Sequence, residues 1–120
     1  GHAKGWGSAE YIAQVDKTDT QLTALFGALE QAKIRQSTVV IITSDHGGQG
    51  LGHGPDDERS RNIPWVASGP SVRAGFDLTQ IASLAVRTED TCATVCWLLG
   101  LPQQTYFDGK PLREAFELAP

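Results

Sequence analysis

Apolar residues at Ile12, Val15, Leu22, Phe26 and Leu29 recur at helical steps, which places one apolar stripe along a helix spanning residues 8–33. Ser8 stands where an N-cap belongs, and Glu10 falls in the first turn, where the helix dipole favours negative charge. Lys33 and Arg35 lie at the opposite end, and Asp19 falls on the stripe itself in a structural role. Thr38-Val39-Val40-Ile41-Ile42-Thr43 has a different pattern: it does not alternate and is rich in β-branched residues. Such a run predicts a strand covered on both faces, as in a parallel sheet between helices. A glycine-rich loop and a mixed-charge stretch at 56–61 follow.

Ile63-Pro64-Trp65-Val66-Ala67-Ser68 predicts a second strand, with Pro64 at its beginning because proline cannot donate to a ladder. Residues 81–86 read as a third extended piece. Thr88 or Asp90 then caps a helix to Leu99, stopped by Gly100 and Pro102. A turn at 107–110 and a short helix over 112–118 complete the pattern. The order of elements predicts an α/β fold, part of a mainly parallel sheet flanked by helices. It is incomplete at the N-terminal side, since the first helix needs a preceding strand for a right-handed crossover. Residues 1–120 are therefore expected to be the C-terminal portion of one domain.

The chain has 120 residues and a net charge of -4, with acidic and basic residues interspersed. No basic stripe is available for a nucleic-acid duplex, although a small anionic substrate is compatible with this balance. No apolar run approaches the ~20 residues of a membrane-spanning helix. Cys92 and Cys96 share a face of the later helix and read as two small buried hydrophobes.

All three histidines adjoin glycine, in Gly1-His2, Asp45-His46-Gly47-Gly48 and Gly52-His53-Gly54. Glycine lets the backbone approach a shared point, and Asp45-His46 follows a strand, where open α/β sheets bind ligands. Imidazole and carboxylate together make a ligand set suited to zinc and its neighbours. Arg59 and Arg61 belong to a solvated charge run with Asp56, Asp57 and Glu58, and Trp6 and Trp65 read as packing residues. The stretch 47–54 lacks the Lys and Ser/Thr of a phosphate-cradling loop, so no nucleotide cofactor is expected.

Thr43-Ser44-Asp45-His46-Gly47-Gly48, then Gly52-His53-Gly54, Ile63-Pro64-Trp65-Val66 and Ser68-Gly69-Pro70, resemble the metal-binding end of the alkaline phosphatase superfamily. The type I phosphodiesterase and nucleotide pyrophosphatase group is the nearest branch, and Gly1-His2, Gly5-Trp6-Gly7-Ser8 and Tyr11 also resemble it. Asp90, Thr94, Leu99-Gly100-Leu101-Pro102 and Asp108-Gly109 match its closing helix and turn. The resemblance implies a phosphoester hydrolase, diester more than monoester, with two divalent ions, zinc being the implied metal. Asp45 and His46 would bind one ion, and His2 and His53 the other. The Thr or Ser nucleophile is expected upstream of Gly1, so no catalytic residue is assigned here, and these residues alone are expected to be inactive. The implied partner is a small phosphoester, with self-association through incomplete sheet edges. A sulfatase-type hydrolase using one calcium, or a non-catalytic structural fragment, are the alternatives left open.

Overall fold

Ser8 opens the first helix as expected: its hydroxyl accepts a hydrogen bond from the Tyr11 N–H at 3.1 Å. The helix, α1 (Ala9–Gln31), ends two residues short of Lys33. Lys33 turns into the left-handed region at φ 58°, and the Ile34 N–H bonds back to the Leu29 carbonyl at 3.1 Å. This is the geometry that satisfies terminal carbonyls when a helix stops. The computed structural model describes residues 1–54 and 56–117, which form two compact units, Gly1–Pro70 and the chain from Ser71 onward.

In the first unit, β1 (Val40–Thr43) pairs with β2 (Trp65–Ser68) in register Val40↔Ser68 through Thr43↔Trp65. The pairing is antiparallel, which corrects the expected parallel arrangement: no parallel strand pair occurs among the described residues. The reason lies in the connecting loop. It carries α2 (Glu58–Arg61) and is pinched shut where the Gly47 N–H bonds to the Ser60 carbonyl at 2.8 Å. The chain therefore returns to the end of the strand that it left. Pro64 sits immediately before β2, outside the ladder, as its missing N–H requires.

The stripe of α1 is only partly covered. Leu22, Phe26 and Leu29 are half-buried, whereas Ile12 and Val15 remain 54% and 52% exposed and no residue of the helix is buried. An open groove of about 540 Å³ runs along this face, lined by Tyr11, Val15, Leu22, Ile42 and Pro64. Asp19, placed on the stripe by its spacing, lines the same groove and is exposed.

Asp57 caps α2. Its carboxylate accepts from the Arg59 backbone N–H at 3.0 Å and from the guanidinium at 3.0 and 3.1 Å. That guanidinium, followed by the backbone N–H, holds the Asp57 carboxyl below its ordinary value. A carboxyl depressed in the folded state adds stability above its unfolded value of about 3.9, and the contribution fades as pH falls through the folded value. Urea titrations of Asp57→Asn should therefore show a deficit at pH 7 that closes toward pH 2. A deficit constant across that range would discard this role.

In the second unit, α3 (Asp90–Leu98) is stopped by Gly100, left-handed at φ 66°, with the Leu101 N–H reaching back to the Cys96 carbonyl at 2.9 Å. Ala93, Leu112, Ala115 and Phe116 form the core here, and Trp97 meets Phe116 edge to face at 5.4 Å. Asp90 is buried and ties two loops to the start of the helix, accepting from the Arg87 N–H at 2.8 Å and the Lys110 N–H at 2.7 Å. Thr94, fully buried, donates to the Asp90 carbonyl at 2.7 Å and accepts from the Leu112 N–H at 2.9 Å.

The expected extended piece at 81–86 is not a strand. Its apolar residues follow a single 3-10 turn, Leu78–Gln80, capped by Asp77, and Leu84 bonds back to Ile81 in a further turn. The terminal segment forms one 3-10 turn, Arg113–Ala115, and Leu118 of the expected helix lies outside the described residues. The cysteines also depart from expectation, since Cys92 is exposed and Cys96 only half-buried.

Candidate metal centre

Two loops of the first unit bring the three histidines together. One is the turn at 1–8 ahead of α1, in which Gly5 N–H bonds to the Gly1 carbonyl at 2.6 Å. The other is the loop after β1. The Trp6 N–H bonds to the Gly50 carbonyl at 2.9 Å and joins the two. The loop at 49–52 closes its own narrow turn through paired Gln49 and Gly52 backbone bonds at 2.9 and 3.1 Å.

The imidazoles converge. His46 and His53 stack at 3.9 Å between ring centroids, and His2 stands edge-on to both at 5.5 and 5.3 Å. One nitrogen from each ring lies within 4.8 Å of the others. His46 is half-buried, while His2 and His53 open to solvent.

Ring orientation is set by backbone carbonyls. His46 Nδ1 lies 2.7 Å from the Gly47 carbonyl oxygen, which can only accept, so this contact requires a proton on Nδ1. His2 Nδ1 faces the Leu51 carbonyl in the same way at 3.4 Å. Asp45 lies two residues beyond the end of β1, with its carboxylate 3.6 Å from His46 Nε2 and largely exposed. The His46 backbone N–H, and then the charge of that imidazole when protonated, hold the Asp45 carboxyl below its ordinary range. Asp45 thus stands beside the cluster, whose convergent group is His2, His46 and His53.

Trp6 props the cluster, a role that a simple packing assignment misses. Its indole lies 4.7 Å from the His2 ring and 6.0 Å from the His46 ring. A methyl group at Gly48 would come within 2.6 Å of that indole, so glycine there is what lets tryptophan approach. The legible signal is spacing: Trp6 follows His2 by four residues. Gly47 is constrained more severely, because a side chain there would strike the Arg59 carbonyl behind the pinch.

The other candidates lie apart from the imidazoles in their bonding. Arg59 is spent on Asp57, as a solvated charge pair should be. The Ser44 hydroxyl donates to the His46 carbonyl at 2.8 Å and so shapes the loop.

Residues 1–66 match the family described as type I phosphodiesterase / nucleotide pyrophosphatase. The chain belongs to that family. Among curated relatives, it is 34% identical over 109 residues to Arylsulfatase K of Danio rerio, covering 87% of this chain and 20% of that protein. It is 31% identical over 102 residues to Alkaline phosphatase PhoK of Sphingomonas sp, covering 85% of this chain and 15% of the other. It is 36% identical over 73 residues to Phosphopentomutase of Herpetosiphon aurantiacus, covering 61% and 17%. Family and relatives alike belong to the alkaline phosphatase superfamily. The chain spans about a fifth of the length of the first of these relatives. No solved structure matches it.

Proposed function

We propose that this chain supplies part of the two-metal site of a phosphoester hydrolase that acts on a small phosphodiester. The observation that carries the reading is the convergence of His2, His46 and His53 within 4.8 Å, beside Asp45. Nitrogen donors of this kind suit zinc, whereas calcium takes oxygen ligands almost throughout. The ligand edge of one tetrahedral zinc site, from bonds near 2.05 Å, is roughly 3.3 Å. Nitrogens that all lie within 4.8 Å of one another are close enough to serve one ion or two neighbouring ions. His2 and His53 would hold one ion, and Asp45 and His46 the other. When bound, such a pair supplies Lewis-acid stabilisation to the attacking and leaving oxygens of an in-line displacement.

The chain's own residues do the positioning. Gly47 orients the His46 ring through its carbonyl, and Trp6 limits the swing of His2 and His46. Such outer contacts typically account for roughly 10–100-fold in metal affinity. The Ser44 hydroxyl is engaged with the loop backbone and helps to shape the turn that carries His46.

A second reading, sulfate ester hydrolysis, is favoured by the likeness to Arylsulfatase K, and it would go with a single calcium ion. Elemental analysis and turnover of the full-length protein separate the two. About two zinc ions per chain with hydrolysis of bis(p-nitrophenyl) phosphate is the expected result. One calcium with hydrolysis of p-nitrocatechol sulfate would replace it with the second reading, and a metal-free active protein would end both.

A further inference from the structure

Cys92 and Cys96 lie one helical turn apart on α3, and neither is in a disulfide. Cβ atoms at this spacing stand roughly 5–6 Å apart, beyond the ~3.5–4.5 Å that a disulfide requires. The helix therefore holds two thiols side by side while opposing their direct oxidation to one another. An atom inserted between the sulfurs removes that misfit. Two sulfur bonds of about 2.3 Å, the length of a thiolate bond to zinc, span further than one S–S bond of about 2.05 Å.

Burial, and then contact with Cys92, push the Cys96 thiol up, as expected for two sulfurs that face each other. Cys92 is exposed, so the pair is open to a reagent from solution. Among the described residues, no third Cys, His, Asp or Glu joins them in a metal-holding group. Four-coordinate zinc is thus poorly served, and the pair suits a centre that is satisfied by two sulfurs.

We propose that α3 carries a dithiol clamp for a thiophilic centre that takes two sulfur ligands, with trivalent organoarsenicals as its ligand class. The reaction balances without an oxidant. Two arsenic–sulfur bonds form, the arsenic–oxygen bond of the arsenoxide breaks, and both thiol protons leave with that oxygen as water. Arsenic stays trivalent throughout.

The test treats the 120-residue chain with phenylarsine oxide and follows intact mass. One adduct per chain is expected, formed with loss of one water, resistant to excess 2-mercaptoethanol and removed by dithiothreitol. Cys92→Ser and Cys96→Ser should each lose the monothiol-resistant adduct while far-UV circular dichroism stays unchanged. The double variant Cys92→Ser with Leu98→Cys keeps two thiols but points them to different faces, and it should also lose the adduct. Absence of a resistant adduct in the unmodified chain, or equal retention by the double variant, would overturn the clamp.

Discussion

If the proposed phosphodiester hydrolysis holds, replacing His46 with alanine in the full-length protein is expected to lower kcat/KM by more than the roughly 10–100-fold that loss of an outer-shell contact costs. Bound zinc should fall in the same sample. His46 is the central member of the group: it stacks on His53, faces His2, adjoins Asp45, and has its Nδ1 bonded to the Gly47 carbonyl. Its removal takes away a donor and also the ring against which His53 is held. His53→Ala should act in the same direction. Metal ions compete with protons for ligating imidazoles, so affinity in the unmodified protein should fall on acidification. Plasma mass spectrometry beside phosphodiester turnover checks the prediction, and unchanged zinc and rate in both variants would remove the hydrolytic reading.

The candidate site was legible because its signal is local. Each histidine has glycine beside it, and Asp45-His46 comes after the end of a β-branched strand with one residue between. Ser8 and Gly100 acted as helix punctuation where their chemistry allows only a few roles. Strand direction was not legible, because β-branched residues suit a covered strand of either sense. What decided it was the Gly47–Ser60 bond, a contact across thirteen residues with no local pattern. Residues 81–86 misled for a related reason. Their apolar content resembles a strand, but the capping bonds of Asp77 and Asp90 on either side bend the chain into turns.

The part played by Trp6 shows how far spacing reaches. A tryptophan in a glycine-rich turn reads as a packing residue, and packing is what it does. The surface that it packs against, however, is the His2 and His46 rings, so one side chain links the fold of the turn to the geometry of the candidate metal centre. The narrow clearance at Gly48 belongs to the same arrangement. Sequence alone gives the residues of this wall and their order, while the edge-on contact needs the backbone bond from Trp6 to Gly50.

Asp90→Ala is expected to destabilise the second unit by about 3–6 kcal/mol, since hydrogen bonds to a charged group contribute ~1.5–3 kcal/mol each and two are lost. Asp90 is 5% exposed, and its oxygens serve the N–H groups of Arg87, three residues before it, and of Lys110, twenty residues after it across the closing turn. Among the described residues of this unit, no other carboxylate is seen to join those two loops. Thr94→Val keeps the volume but leaves the Leu112 N–H without its 2.9 Å partner in a residue that is 2% exposed. That change should cost about 1–3 kcal/mol, the penalty for an unsatisfied buried donor. Asp90→Asn retains one accepting oxygen and should fall between Asp90→Ala and the unmodified chain. Urea denaturation followed by Trp97 fluorescence measures all three. Losses below about 0.5 kcal/mol, the usual range for surface changes, would mean that the closing turn is held by its apolar core and not by the Asp90–Thr94 network.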